Sequence, residues 1–146
     1  MNGPSFNANG PNNSPDFGPH KFGPAPAQDE KLMAAAAHAS ILVPHAGLLV
    51  PLVLWLMHSN SGRAPFVAAQ ARQAFFFQLS VVALEWLVII LGGAFGFLTF
   101  GLGWFLIAPL VGLGHLAAAI LGIIGAVDTF HGRDFRYPII GSKLAP

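Results

Sequence analysis

The 146-residue sequence contains no cysteine. That absence removes disulfides, thiolate metal sites, iron–sulfur clusters, covalent c-type haem attachment and thiol catalysis together. Charge is almost as scarce: Asp, Glu, Lys and Arg make up 9% of the residues, against roughly 25% in soluble domains. So few charges cannot cover a water-exposed surface of this size. Seven basic and six acidic residues leave a net charge of +1, so there is no cationic field with which to hold nucleic acid. What is present instead is apolar, 54% of the chain. The solvent of such a chain is a bilayer.

Residues 1–28 are rich in Pro, Gly and Asn, lack an apolar period and read as a disordered tail. Residues 29–146 read as a transmembrane helical domain. The tail is not built as a secretory signal, which needs a basic start leading directly into an apolar stretch. Phe6, Phe17 and Phe22 are isolated tail aromatics.

No Asp, Glu, Lys or Arg occurs between Lys31 and Arg63, and only Glu85 occurs between Arg72 and Asp128. The membrane segments must lie in those two stretches. One long helix is expected from about Pro65, a favoured first helical residue, to about Phe97. A Gly-rich turn around Phe100 follows, and then a second helix from about Trp104 to Phe130. Each exceeds the ~20 residues needed to cross hydrocarbon.

The stretch from Asp29 to Asn60 admits two readings. As one kinked helix it would be roughly 45 Å long, interrupted by Pro44, Gly47 and Pro51. As a hairpin breaking at Val43-Pro44-His45-Ala46-Gly47 it gives two arms of about 22 Å, suited to shallow packing against the longer helices. The hairpin places all seven Lys and Arg residues on one side, satisfying the positive-inside rule completely. The expectation is therefore an all-α integral membrane protein, a small bundle of two long transmembrane helices plus this N-terminal hairpin. Both termini would be cytoplasmic, most simply in a bacterial inner membrane.

Three stretches carry more than composition: Ala37-His38-Ala39-Ser40; Ala64-Pro65-Phe66-Val67 with Ala71-Arg72-Gln73-Ala74 and Phe77-Gln78; and Gly132-Arg133-Asp134-Phe135-Arg136-Tyr137-Pro138. Together they resemble the Tic-twenty-like family of small bacterial membrane proteins. That family is distantly similar to the twenty-kilodalton channel component of the plastid inner-envelope import machinery. The family often has His where Gln70 stands and Asn where Phe76 stands. The resemblance covers about residues 29–144 and implies four segments and a structural or translocation-related role, without an established activity.

The residues themselves suggest several sites. Glu85 lies near the centre of its apolar span, where an ionised carboxylate costs about 3 kcal/mol or more unless paired. If the helices turn near Phe100, positions summing to about 200 lie at equal depth. Glu85 then faces His115 as an intramembrane pair, and Arg72 faces Asp128 at the interface. Gly114, Ala118, Gly122 and Ala126 form a ridge of small residues for close helix approach, within the bundle or between copies or partner membrane proteins. Arg133, Arg136 and Tyr137 suit headgroup or partner docking. His38, His45 and His115 offer imidazoles that could ligate haem or chlorophyll, although Pro44 and Gly47 break the face shared by the first two. No metal-site spacing, nucleophile elbow or phosphate loop occurs, so no enzyme and no bound cofactor are expected. Two function classes remain: a structural or translocation-related component of a membrane assembly, and a pigment-carrying or proton-handling subunit of an energy-conserving complex.

Overall fold

The computed structural model describes residues 25–138. Most of the N-terminal tail, with its phenylalanines, and Lys143 lie outside the described residues. Four α-helices follow in order: α1 (Gln28–Ala39), α2 (Leu49–Ser59), α3 (Pro65–Leu98) and α4 (Trp104–Phe130), with no strand among the described residues.

Helix α1 starts where Asp29 and Glu30 meet the positive end of the helix dipole. The Glu30 carboxylate also accepts the Ala27 N–H at 3.1 Å. Two 3₁₀ turns, Ser40–Leu42 and Ala46–Leu48, separate α1 from α2. His45 between them has φ 61°, which reverses the chain. Gly47 closes the turn because any Cβ there would collide with the Ser40 carbonyl.

Neighbours along each helix give the register. Lys31 lies beside Gly132, His38 beside Gly125 and Ile41 beside Gly122, so α1 runs antiparallel to α4. The His45 ring sits 6.1 Å from Trp86, while the Trp55 ring sits 5.8 Å from Phe75. Helix α2 therefore returns antiparallel to α3. The N-terminal segment is a hairpin whose tip reaches only the depth of Trp86. Helices α3 and α4 continue past it, packed on each other through Gly92 against Ile107 and Gly96 against Trp104.

The distal turn satisfies its own backbone. Gly101 N–H donates to the Gly96 carbonyl at 2.7 Å and Phe100 N–H to that of Phe97 at 3.2 Å, the pairing of a Schellman cap. The Thr99 hydroxyl accepts the Gly103 N–H at 2.8 Å at the start of α4. Helix α4 ends the same way, with Gly132 at φ 78°, Gly132 N–H on Thr129 and Arg133 N–H on Asp128.

The outer surface is apolar where that of a soluble bundle would be polar, and the interior carries several polar side chains. The core mixes small apolar and polar side chains: Ala37, Ala71 and Ala74 pack with Leu54 and Trp55, while His38, Gln70, Gln73, Gln78, Glu85 and Thr129 are also buried. Leu87, Ile90, Leu91, Phe105, Leu106 and Leu113 are exposed. Of the most apolar window, only 11% of residues in α3 and 22% in α4 are buried, far too little for core helices of a soluble fold. Both helices are long and apolar enough to cross a membrane, and hydrocarbon is the solvent that matches their surface.

Candidate intramembrane polar site

Helix α3 brings Gln70, Gln78 and Glu85 onto one buried face, since steps of eight and seven residues keep them within an arc of about 80°. Each meets a different partner. Nearest the basic end, His38 of α1 is fully buried. Its Nδ1 lies 2.9 Å from the Tyr137 hydroxyl and its Nε2 lies 3.1 Å from Gln70 Oε1. Gln70 Nε2 donates to Asp134 Oδ1 at 2.8 Å, and Arg136 holds the other carboxylate oxygen through two bonds, at 3.2 and 3.1 Å.

This chain of bonds has one direction. The Asp134 carboxylate only accepts, which turns the Gln70 amide so that its Oε1 faces His38. Nε2 of His38 must then donate, leaving Nδ1 to accept from the Tyr137 hydroxyl. His38 is thereby the neutral Nε2–H tautomer. The Tyr137 ring stacks on Phe77 at 3.8 Å and meets the edge of Phe135 at 4.9 Å. Burial pushes the Tyr137 phenol well above its ordinary value.

The second rung is Gln78, whose Nε2 donates to the Ala37 carbonyl at 3.0 Å and to Ser40 Oγ at 3.1 Å. It fastens the end of α1 to α3 where α1 loses its own hydrogen bonds. The third is Glu85, whose Oε1 lies 2.7 Å from His115 Nδ1. Side-chain exposures of 10% for Glu85 and 25% for His115 leave the pair largely enclosed. The depth argument from the turn at Phe100 sets these two residues opposite one another, and they meet.

Other positions depart from expectation. Asp128 takes its ion pair from Arg133 at 3.1 Å, not from Arg72 across the helices, because the Gly132 turn folds the chain back onto the end of α4. Tyr137 is 1% exposed and is therefore a core residue rather than a headgroup contact. Arg136 and Arg133 both engage aspartates. Of the small-residue ridge, Gly122 meets α1, since a Cβ there would strike Ile41; Gly125, outside that ridge, also lies against α1, where a Cβ would be 3.0 Å from His38 Nδ1. Ala118 is buried and Ala126 half-buried, while Gly114 faces open space. The three candidate haem or chlorophyll ligands do not converge. Both nitrogens of His38 are engaged, His115 holds Glu85, and His45 lies exposed against Trp86. Among the described residues no group of three or more His, Asp or Glu side chains could hold a metal ion. Sequence reasoning missed the bonds of Asp134 and Tyr137 to Gln70 and His38. The burial of Tyr137 has no local signal in a turn that also carries two arginines.

No curated protein and no solved structure matches the chain. Among protein families, residues 29–144 match the magnetosome magnetite crystal formation family, MamF/MmsF. This corrects the Tic-twenty-like resemblance, whose quoted stretches all fall inside the matched span. Those stretches are helix starts, helix ends and interfacial turns, where membrane proteins of similar topology converge on similar residues. The chain is a member of the magnetosome magnetite crystal formation protein family.

Proposed function

We propose that the protein is a non-enzymatic, structural component of the magnetosome membrane that supports magnetite crystal formation. The family match over residues 29–144 carries this reading. The exposed apolar surface of α3 and α4 supports it by fitting the chain to a bilayer. Its basic residues and both termini face the cytoplasm, and the uncharged distal turn, Thr99–Gly103, faces the vesicle lumen. Gln70 and Gln78 hold helices together, and the chain acts through its shape and its place in the membrane. Its partners are lipid and other membrane proteins, including further copies of itself.

Deleting the gene from its magnetite-forming host and measuring crystal size by electron microscopy tests this. Crystals should become smaller or misshapen, and a tagged copy that restores them should fractionate with magnetosomes. Unchanged crystals, with the tagged protein confined to other membranes, would overturn the reading.

A further inference from the structure

We infer that Glu85 and His115 form a proton-binding site in the middle of the membrane that exchanges with water only at the basic end of the bundle. This inference is independent of any role in crystal formation.

The first argument is charge. Glu85 Oε1 and His115 Nδ1 are 2.7 Å apart on helices whose outer surfaces face hydrocarbon. The pair is neutral only with one proton, as acid with imidazole or carboxylate with imidazolium. With none or two it carries a net charge that the surroundings penalise. One proton is therefore held between the two side chains.

The second argument is access. From the basic end to the pair the interior is polar at intervals: Arg136 and Asp134 near the surface, then Gln70 with His38 and Tyr137, then Gln78 with Ser40. Successive rungs on α3 are about 10–12 Å apart along the helix axis. Water entering from that end would find polar groups at each rung to hydrogen-bond with as the bundle breathes. On the other side the arrangement differs. From Leu87 to Leu98 and from Phe105 to Gly114 no side chain carries a hydrogen-bonding group. That barrier is about 13 Å deep, ending where the Trp104 indole N–H lies against Gly96.

The ionisable groups near the pair are few. Besides Glu85, helix α3 presents no ionisable group between Arg72 and its end, and besides His115, α4 presents none before Asp128. From the hairpin, His45 reaches the same depth but lies against Trp86 with its ring exposed, on the outer side of the bundle. The Gln78 rung of the path is set by α1, whose 3₁₀ end holds Ser40 against it.

Solid-state nuclear magnetic resonance of the ¹⁵N-labelled protein in lipid vesicles tests this. The spectrum of His115→Gln assigns the His115 ring signals. After transfer into deuterated water, the His115 ring N–H signal should decay at least an order of magnitude faster than the amides of Leu110 and Leu113. Gln78→Met, close in shape but unable to hydrogen bond in the same way, should slow that decay by an order of magnitude while the His115 shift stays put. Ser40→Ala removes the other half of the rung and should slow it in the same direction should Gln78→Met fold poorly. Leu110→Ala, which thins the distal barrier, should leave the rate unchanged. A His115 signal as persistent as the distal amides would overturn the inference. So would a decay that follows Leu110→Ala and ignores both Gln78→Met and Ser40→Ala.

Discussion

Tyr137 is the single tyrosine of the chain, so its own absorbance reports its ionisation. It lies seven residues beyond α4 yet is 1% exposed, locking the segment after α4 against α1 and α3. Burial raises its ionisation above the ordinary 10.0. The folded state therefore keeps the phenolic proton where the unfolded chain loses it. The stability this contributes is complete below pH 10.0 and is lost as the pH rises from there through the folded value. Spectrophotometric titration in detergent should show no tyrosinate at pH values that ionise a free phenol, until the bundle opens. Tyr137→Phe keeps the stack on Phe77 but leaves His38 Nδ1 buried without a donor. It should lower stability by about 1–3 kcal/mol, read as a fall in Tm, and should abolish the alkaline loss attributable to this group.

At the scale of elements, one close contact and one strained turn decide how the helices meet. Helix α1 approaches α4 over Gly122, where the backbone carbonyl of His38 would lie 3.0 Å from an added Cβ. Gly122→Leu should force the hairpin away and cost about 1–3 kcal/mol or more. Ile123→Leu on the exposed face should change Tm little, and size-exclusion profiles in detergent should separate the two. The distal turn carries the opposite opportunity. Phe100 is held at φ 53°, a conformation costing an L-residue about 1–2 kcal/mol, and its ring is fully exposed. Phe100→Gly should therefore raise Tm, provided no partner covers the ring in the assay detergent. A fall in Tm would show that the ring is engaged there.

The whole molecule is uneven along the membrane normal. Four helices fill the half nearest the basic residues, and only α3 and α4 continue through the other half. This follows from the hairpin: its arms are short, so its tip stops at Trp86. The proposed topology predicts a simple labelling pattern in isolated magnetosomes, whose outer surface is the cytoplasmic one. Single cysteines at Gln28 and Ser61 should react with an impermeant thiol reagent, and one at Gly101 should react only after detergent is added. Protection at Gln28 with reaction at Ser61 would mean that the N-terminal segment crosses the membrane, against the register of α1 on α4.

Composition and charge spacing by themselves determined the solvent, the two long helices and the turn between them. Hydrophobic length is a local property, and the caps at Pro65, Thr99 and Gly132 are local too. The depth match of Glu85 with His115 was also legible, because a tight turn fixes the register of the helices it joins. The break at residues 43–47 was legible from Pro44 and Gly47, and the reversal of direction, which a kink at the same residues would not give, was legible from the gathering of Lys and Arg on one side. Only the tertiary structure decided that α1 lies on Gly122 and that α2 returns along Phe75. It also decided that Asp128 pairs with Arg133 rather than Arg72, because the turn at Gly132 folds Arg133 back onto the end of α4. Above all, it decided the fate of His38, Gln70 and Tyr137. Hydrogen bonds between side chains 99 and 32 positions apart depend on how three elements dock, and no pattern within any one element encodes that.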